Sequence, residues 1–503
     1  MQGDDLREGV GATLKHFLGY GWSEGGLNWA PSHIPARELR EVFAKPFAAA
    51  IREANAFSVM NAYHEHDGVP CGSSQELLTK LLREELGFNG LVVADYFTVN
   101  MFVEYHHIAA DKAEAAKLGI EATIDIELPE VDCYGEPLRK ALAAGDIDMA
   151  FIDAAVLRVL EAKFTLGLFE NPYVDSGAVA EVFSAEENRQ LSREIARKSL
   201  VLLKNEGDLL PLKRDLRKIA VIGPHADSAR LLQGDYHYPS HLEGMFLPGV
   251  SIEAPMPQQA AMEMDWSDHL PPTVTILQGI RDLVGDSVEV VYAKGCEVKD
   301  DDTSGISEAV QAAQGADVAI VVVGEKSGLS PLSTSGESID RASLGLMGAQ
   351  QQLVEAIHAS GTPTVVVLVN GRPLSLPWID EHIPAIVEAW LPAEEGGAAV
   401  AEVLFGEAAP GGKLPMSIPR DVGQVPVYYN HKPSGGRTNW QGDYIDMSVK
   451  PLYPFGHGLS YTTFEYSDLQ ITPQQCQPVD TITVRCTVRN SGARAGEEVV
   501  QLY

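Results

Sequence analysis

Short apolar runs alternate with amphipathic helical stretches over the first 170 residues, and this alternation constrains the fold more than any other feature. The runs with the length and composition of buried strands are ATLKHF (12–17), FSVMNAY (57–63), LVVA (91–94) and ATIDI (122–126). Helical periodicity fills the segments 36–55, 73–85, 111–118, 135–145 and 149–167. Because strands that alternate with helices form parallel sheets covered by helices, we predict a βαβα unit over residues 1–172.

A second α/β region follows a predicted linker and lead-in helix over residues 173–215. Its β-branched runs have the composition of strands that are buried on both faces, and they lie at 218–223, 288–293, 317–324, 362–370 and 385–391. The stretch 226–275 is rich in His, Pro and Met, and we expect it to be irregular. The sequence therefore predicts a helix-covered sheet over residues 216–462.

The pattern changes again after residue 462. The segment TITVRCTVRN (481–490) alternates polar and apolar residues, and EEVVQLY (497–503) has the composition of another strand. We predict the beginning of a β-sandwich domain over residues 463–503. A complete sandwich of this kind usually needs about 100 residues.

Composition narrows the classes of partner. The chain has 38 basic and 70 acidic residues, a net charge of −32, and such a surface disfavours nucleic acid and anionic membranes, which need a positive footprint. Five scattered cysteines without CxxC spacing predict neither a disulfide framework nor a zinc site. The acidic start MQGDDLREGV lacks the apolar core of a signal peptide, and cytoplasmic, periplasmic and secreted locations all remain open.

Polar side chains follow four consecutive predicted strands of the first unit. Acidic residues at the carboxyl ends of parallel strands face the active site in barrel-type sheets, so we expect these groups to converge on one point. Asp95, directly after LVVA, is the strongest candidate, and the others are Lys15, His16, Met60, Tyr63, Asp125 and Glu127.

Several motifs resemble those of glycoside hydrolase family 3, the β-glucosidase and β-xylosidase family. They are ATLKHFLGYG, SVMNAYHEHDGVPC, GFNGLVVADYFTV, SLVLLKNEGDLLPL, STSGESIDR, VNGRPLSLPW and YPFGHGLSYTTFEYS. The resemblance implies part of a (β/α)8 TIM barrel, then an α/β sandwich domain and the start of a fibronectin-III-like domain. It also implies a retaining exo-acting β-glycosidase, with a β-glucosidase favoured over a β-xylosidase, and it requires no cofactor.

Site residues follow from the same resemblance, position by position. Asp95 matches the nucleophile, and Glu337 in SGESIDR matches the acid/base. Residues that match or neighbour the sugar-binding positions are Lys15, His16, Met60, Tyr63 and Tyr96. For Phe97, next to Tyr96, we expect packing rather than sugar contact.

Retaining hydrolysis sets requirements on the two acids. A carboxylate must attack the anomeric carbon while a protonated partner lies about 5–5.5 Å away. We expect Lys15 and Tyr63 to favour the ionised form of Asp95, and burial or a nearby negative charge to raise the pKa of Glu337. Glu325, at a strand end, and Glu127 are rival acids.

The family's barrel begins before the Lys-His strand, with strands that carry an Asp and an Arg for the sugar, and its C-terminal domain continues further. For a chain truncated at both ends we therefore expect weak activity or none. One alternative is a non-catalytic carbohydrate-binding module or homo-oligomer whose missing strands come from another copy. The other alternative is a metal- or nucleotide-dependent enzyme. The segment GEAAPGGKL (406–414) lacks the spacing of a phosphate-binding loop, which argues against a nucleotide. We expect the histidines of HEH (64–66) and YHH (105–107) to be solvated, which argues against a metal.

Overall fold

The computed structural model describes residues 2–183, 185–246, 270–440 and 442–503. The chain divides into two compact α/β units, Met1–Gly177 and Ala178–Tyr503, called unit 1 and unit 2 below. Residues 247–269, which form much of the stretch predicted to be irregular, lie outside the described residues. The described remainder of that stretch contains the helix Tyr238–Phe246, so the prediction is wrong there.

Unit 1 contains a parallel sheet whose three strands were all predicted. Strand β2 lies between β1 and β5, with Thr13 opposite Ser58 and Ser58 opposite Leu91. Within the described part of unit 1 this sheet stays open and does not close into a barrel. The strands of the unit are β1 (Thr13–Phe17), β2 (Ser58–Asn61), β3 (Glu65–His66), β4 (Val69–Pro70) and β5 (Leu91–Val93).

The fourth predicted strand, 122–126, does not form. The amides of Ala122, Thr123 and Ile124 donate hydrogen bonds to carbonyls of the preceding helix. These residues therefore belong to the end of that helix rather than to a strand. Only a single bridge between Val93 and Ile126 continues the sheet.

Helices cover this sheet close to the predicted positions. Their bounds are Ala36–Glu38, Leu39–Phe43 and Ala44–Ala54 as one continuous run, then Glu76–Glu85, Thr98–Glu104, Lys112–Glu121, Glu136–Ala144 and Met149–Thr165. At the start of the helix Glu76–Glu85, the Leu77 amide donates to Ser74 Oγ, while Ser73 donates to the Pro70 carbonyl.

A buried carboxylate ties the sheet of unit 1 to two helices. The Asp125 side chain is fully buried and lies 3.0 Å from Arg83 Nη2 and 2.7 Å from Arg158 Nη2. It also accepts the amide N–H of Val92, at 2.8 Å. Arg83 lies on the helix Glu76–Glu85 and Arg158 on Met149–Thr165, so one carboxylate joins β5 to both.

Unit 2 is built on a six-stranded sheet in the order β6-β11-β10-β9-β7-β8. Five strands are parallel, and only β6 pairs in the antiparallel sense, with β11. Every residue of β9 and β10 is buried, as predicted from their β-branched composition. The prediction is wrong for the edge strand β8, where Glu289 is exposed and the next three residues are only half-buried. The strands are β6 (Val201–Asn205), β7 (Lys218–Ile222), β8 (Glu289–Ala293), β9 (Val318–Gly324), β10 (Thr364–Val369) and β11 (Ala385–Glu388).

Helices pack on both faces of this sheet, and two apolar clusters lie between the layers. The helices are Val179–Phe183, Glu186–Ser199, Tyr238–Phe246, Ile276–Val284, Ile306–Ala313, Gln350–Ala359, Pro377–His382 and Gly396–Leu404. Among the residues that the structure describes in both units, single 3-10 turns occur at Glu24–Gly26, Cys71–Ser73, Ser176–Ala178, Glu206–Asp208, Arg230–Leu232, Gly285–Ser287 and Val422–Gln424.

The C-terminal part of unit 2 is an antiparallel hairpin. Strands β12 (Phe464–Thr472) and β13 (Thr483–Asn490) pair with each other. The predicted strand 497–503 does not form. Its side chains make contacts instead, since Gln501 donates to the Gly456 carbonyl and Glu498 contacts Lys413 and the Tyr466 hydroxyl of β12.

Two further features bear on the sequence-based expectations. None of the helices within the described ranges combines the length and the apolar character that crossing a bilayer requires. All five cysteines are free thiols, three of them buried (Cys71, Cys133 and Cys296) and two exposed (Cys476 and Cys486).

Asp125→Asn should destabilise unit 1 by about 3–5 kcal/mol, because it leaves two buried guanidinium groups without their counter-charge. Urea denaturation, with hydrogen exchange of the β5 amides as the local measurement, would show this loss. Asp153→Asn, at an exposed position of the helix Met149–Thr165, is the matched control. Equal unfolding midpoints for the two variants would contradict a structural role for Asp125.

Candidate active site

Asp95 lies just beyond β5, at the carboxyl end of the sheet in unit 1, and only 7% of its surface is exposed. Its backbone is held on both sides, since its amide donates to Asn61 Oδ1 at 3.3 Å and its carbonyl accepts the Thr98 amide at 3.1 Å. The strand and the following helix Thr98–Glu104 thus fix the carboxylate in position.

The two oxygens of this carboxylate have different surroundings. Oδ1 accepts the amide N–H of Tyr96 at 2.8 Å. Oδ2 lies 3.3 Å from Nε2 of His16, which is on β1. The structure therefore brings His16 and Asp95 together, as expected from the convergence of strand ends.

Burial raises the pKa of Asp95 above its ordinary value. The Tyr96 amide, the Tyr63 hydroxyl and the charge of Lys15 each lower this pKa, in that order of effect, but they do not cancel the desolvation. Lys15 and Tyr63 thus act in the expected direction, and the net pKa shift is upward because the low-dielectric site disfavours the anion.

Tyr63 is itself fixed by a residue that sequence reasoning dismissed. The Tyr63 carbonyl accepts a hydrogen bond from His106 Nε2 at 3.0 Å, and His106 Nδ1 lies 3.6 Å from Glu65. The His106 side chain is almost completely buried, so the expectation of solvated histidines in YHH is wrong for it. His107 is exposed, as expected.

Asn61 is a second residue that sequence reasoning missed. Besides accepting the Asp95 amide, it donates to the Ala62 carbonyl at 2.9 Å and to Thr98 Oγ1 at 3.3 Å. It lies at the end of β2, within the motif that contains Met60 and Tyr63, and strand-end logic could have identified it.

The remaining predicted residues of unit 1 differ in exposure. Lys15 is exposed on β1, and Met60 is half-buried on β2, opposite Val93. Tyr96 is 52% exposed and Phe97 is 54% exposed, and the centroids of their rings are 6.3 Å apart. The expectation that Phe97 packs into the interior is wrong, and both rings are available to a ligand.

Two other strand-end acids of unit 1 are occupied by structural contacts. Asp125 is paired with two arginines, as described above. The Glu127 carboxylate accepts the amide N–H groups of Asp132, Cys133 and Tyr134 at 2.8–3.0 Å. Glu127 therefore holds a loop and is not available as a proton donor.

In unit 2 the strand-end rival Glu325 is also structural. It is 1% exposed, and its Oε1 lies 3.1 Å from Arg341 Nη1 and 2.6 Å from Arg372 Nη2. Arg341 is the arginine of the motif SGESIDR, so this ion pair anchors the loop that carries Glu337 to the end of β9.

Glu337 itself is exposed at the tip of this loop, where it accepts a short hydrogen bond from the Tyr236 hydroxyl. The burial that we expected around Glu337 is therefore not found within unit 2. Gly336 precedes it with φ of 130°, and a Cβ at this position would lie 2.1 Å from the Gly328 carbonyl oxygen. Only glycine allows the two sides of the loop to approach so closely.

A further carboxyl group lies at the same edge of the sheet in unit 2. Glu388, at the end of β11, accepts the Trp390 amide at 3.0 Å and Asn370 Nδ2 at 3.3 Å. Burial raises the pKa of Glu388 to about 8. This edge therefore holds a buried carboxyl group with a raised pKa beside the contacts between Glu325 and its two arginines.

Comparisons with known proteins agree with this arrangement of two units. The glycosyl hydrolase family 3 N-terminal domain matches residues 1–162, and the family 3 C-terminal domain matches residues 200–461. The chain is 40% identical to a β-xylosidase of Formosa agariphila, in an alignment that covers 98% of this chain and 65% of the relative. It is 35% identical to a periplasmic β-glucosidase of Salmonella typhimurium, in an alignment that covers 99% of this chain and 64% of the relative. It thus spans slightly less than two thirds of these relatives.

A solved structure shows the same architecture. The β-glucosidase of Listeria innocua in complex with isofagomine superposes with a TM-score of 0.83 at 31% identity, over 97% of this chain and 64% of that one. The α/β fold with two domains is therefore shared with proteins of known structure.

Glu388 gives unit 2 a measurable pH dependence. Its pKa is 4.5 ordinarily and about 8 in the folded protein, so the folded state holds an additional proton between these values. The stability from this neutral carboxyl is complete below about pH 4.5 and is lost as the pH rises through 8. Glu388→Gln should flatten the fall of the melting temperature over this range, whereas the exposed Glu381→Gln should leave it unchanged. Parallel curves for wild type and Glu388→Gln would contradict the assignment.

Proposed function

Because this chain belongs to glycosyl hydrolase family 3, we propose that it is a retaining exo-acting β-glycosidase that hydrolyses terminal β-D-glucosyl residues. The observation that carries the proposal is the state of Asp95. It is a buried strand-end carboxylate that contacts a histidine and one backbone amide, whereas its neighbour Asp125 is paired with two arginines. Such a carboxylate is oriented and still free to form a bond.

The proposed reaction uses Asp95 as the nucleophile. Because Oδ1 accepts the hydrogen bond from the Tyr96 amide, Oδ2 is the oxygen that attacks the anomeric carbon. The bond between the anomeric carbon and the leaving oxygen breaks in the same step. Glu337 transfers its proton to that leaving oxygen. In the second step Glu337 takes a proton from water, the water oxygen attacks the anomeric carbon, and Asp95 leaves as a carboxylate.

The proposed sugar-binding residues are those around Asp95. Lys15 and His16 on β1 supply donors for the sugar hydroxyls, and Met60 and Tyr63 follow on and after β2. The exposed ring of Tyr96 supplies an apolar face for the sugar. Tyr236, which donates to Glu337, holds the acid/base in place.

The finer architecture is part of the proposal. The parallel order β1-β2-β5 with outer helices supports a segment of a (β/α)8 barrel for unit 1. The antiparallel pair β12-β13 supports the start of a fibronectin-III-like domain. Pairing with a second copy of the chain, to form a homo-oligomer, is an alternative use of the open sheet in unit 1, and size-exclusion chromatography distinguishes it.

The sugar preference is tested with a pair of substrates. The relatives named above include both a β-xylosidase and a β-glucosidase, so aryl β-glucoside and aryl β-xyloside are compared under identical conditions. A higher kcat/KM for the glucoside supports the proposal, and a higher value for the xyloside overturns its sugar assignment.

Trapping tests the nucleophile even where turnover is slow. A 2-deoxy-2-fluoro glucosyl fluoride should label Asp95, since the fluorine slows hydrolysis of the covalent intermediate, and peptide mass spectrometry locates the label. Asp95→Ala should not be labelled. Glu337→Ala should lower aryl glucoside hydrolysis by about 10²–10⁴-fold, the range for losing a general acid/base.

Matched controls separate these effects from misfolding. Glu130→Ala and Glu381→Ala remove exposed carboxylates from unit 1 and unit 2 and should retain wild-type labelling and hydrolysis. The proposal fails if the label lies elsewhere, if no protein is labelled, or if Asp95→Ala hydrolyses aryl glycosides as well as wild type does.

Tyr63→Phe tests the electrostatics of the site. Removing the hydroxyl removes a group that lowers the pKa of Asp95, so this pKa rises further and the acidic limb of kcat/KM moves to higher pH. The loss of a hydrogen bond to a charged group should also reduce kcat/KM by about 10- to 100-fold. Tyr173→Phe, at an exposed tyrosine of unit 1, is the control. An acidic limb that stays in place or moves to lower pH would contradict this role of Tyr63.

A further inference from the structure

Two histidines and a cysteine lie together inside unit 1, in the loop between β2 and the helix Glu76–Glu85. His64 and Cys71 are 0% exposed and His66 is 9% exposed, so the expectation that the HEH histidines are solvated is wrong. One ligand atom from each of the three side chains lies within 4.8 Å of the other two. The short β3–β4 hairpin folds the loop back and brings Cys71 against His64.

We propose that His64, His66 and Cys71 form a binding site for a borderline-soft divalent cation of the zinc class. His64 Nε2 and His66 Nε2 are 3.2 Å apart, and Cys71 Sγ lies 4.0 Å from His64 Nε2. Around a tetrahedral ion with bonds of about 2.0–2.1 Å to nitrogen and about 2.3 Å to sulfur, these separations would be about 3.4 and 3.6 Å. The two observed separations differ from these values by only a few tenths of an ångström, and the third pair of ligand atoms lies within 4.8 Å.

The donor set decides which cations fit. Two imidazoles and a thiol suit zinc and similar ions, whereas calcium and magnesium require oxygen ligands. Glu65, the acidic residue between the two histidines in sequence, is directed to His106 instead. Three protein ligands leave a fourth position, which water or the nearby Leu18 carbonyl can fill.

Proton positions show what binding requires. His66 Nε2 lies 2.7 Å from the Leu18 carbonyl oxygen, so it donates its proton there. On binding, that proton moves to Nδ1 of His66, and the thiol of Cys71 releases its proton to solvent. Burial raises the pKa of Cys71 to about 12, so the thiolate forms only when a cation compensates its charge.

The unbound arrangement leaves polar atoms unsatisfied. Nδ1 of His64 and Nδ1 of His66 are buried and have no hydrogen-bond partner within the described residues. Burying imidazole nitrogens without hydrogen-bond partners is costly, which is unusual for two histidines that only fill space. A plain hydrogen-bonded histidine pair is the competing explanation, and it requires no cysteine.

The cation has a route to the site. An open cavity of about 740 Å³ reaches His66, and Ser32, Asp67 and Ser74 also line it. A bound ion would fix the loop that begins directly after Tyr63. The expected role is therefore structural, and it is independent of the proposed hydrolase activity.

Cobalt titration tests the site without any activity assay. The full chain, reduced and stripped of metal by a chelator, should bind one equivalent of Co²⁺ and show the visible bands of tetrahedral cobalt. It should also show a near-ultraviolet thiolate-to-cobalt charge-transfer band, and Zn²⁺ should displace the cobalt and raise the melting temperature.

Matched variants assign the ligands. Cys71→Ser should lose the charge-transfer band, and His64→Gln should weaken binding by more than about 100-fold, because even outer-shell changes cost about 10–100-fold. Cys133→Ser removes another buried cysteine of unit 1, and His33→Gln removes an exposed histidine; both should bind like wild type. The proposal is overturned if wild type shows no charge-transfer band, a result that depends on no variant folding, or if Cys71→Ser and Cys133→Ser bind equally.

Discussion

The desolvation of carboxylates is the constraint on which both units depend. A carboxylate removed from water must be compensated by positive charge, by hydrogen bonds or by a proton. Asp125 in unit 1 and Glu325 in unit 2 are each compensated by two arginines. Glu388 is compensated by its proton, and its pKa is raised to about 8.

Asp95 falls between these solutions, which agrees with its proposed role as the nucleophile. Its compensation comes from one amide N–H, a histidine, a hydroxyl and the charge of an exposed lysine, and its pKa still lies above the ordinary value. An arginine in direct contact would hold the anion too tightly for it to form a bond to carbon. The same sheet edge thus holds a structural carboxylate at Asp125 and the proposed nucleophile at Asp95, and the two differ in their partners.

Local patterns predicted much of the fold. The strands β1, β2, β5 and the parallel strands of unit 2 were predicted because apolar β-branched runs identify buried strands directly. The segment 122–126 has the same composition, but its first three residues form the end of the preceding helix. Composition alone does not show where that helix ends. The antiparallel β6 was missed because nothing in its short run VLLKN (201–205) specifies an edge position beside β11.

Roles within the site were harder to predict than positions. Strand-end placement identified Asp95, Asp125, Glu127 and Glu325 alike, yet Asp125 and Glu325 are each paired with two arginines and Glu127 holds three backbone amides. Those partners lie 5 to 47 positions away in the sequence, so only the folded chain shows which acid is occupied. Likewise, histidines in a polar-looking loop were expected to be solvated, and the β3–β4 hairpin buries them.

Tyr63 shows how packing reaches the chemistry. Its hydroxyl lowers the pKa of Asp95, and its carbonyl accepts a hydrogen bond from His106 Nε2. The next residue, His64, belongs to the buried cluster that contains Cys71. Each of these contacts restricts the same short segment after β2. Because a hydrogen bond to a charged group is effective only in a narrow range of geometry, the buried loop must be rigid for the hydroxyl to act on Asp95. His106 and the buried cluster around Cys71 therefore influence Asp95 through Tyr63, without contacting Asp95 themselves.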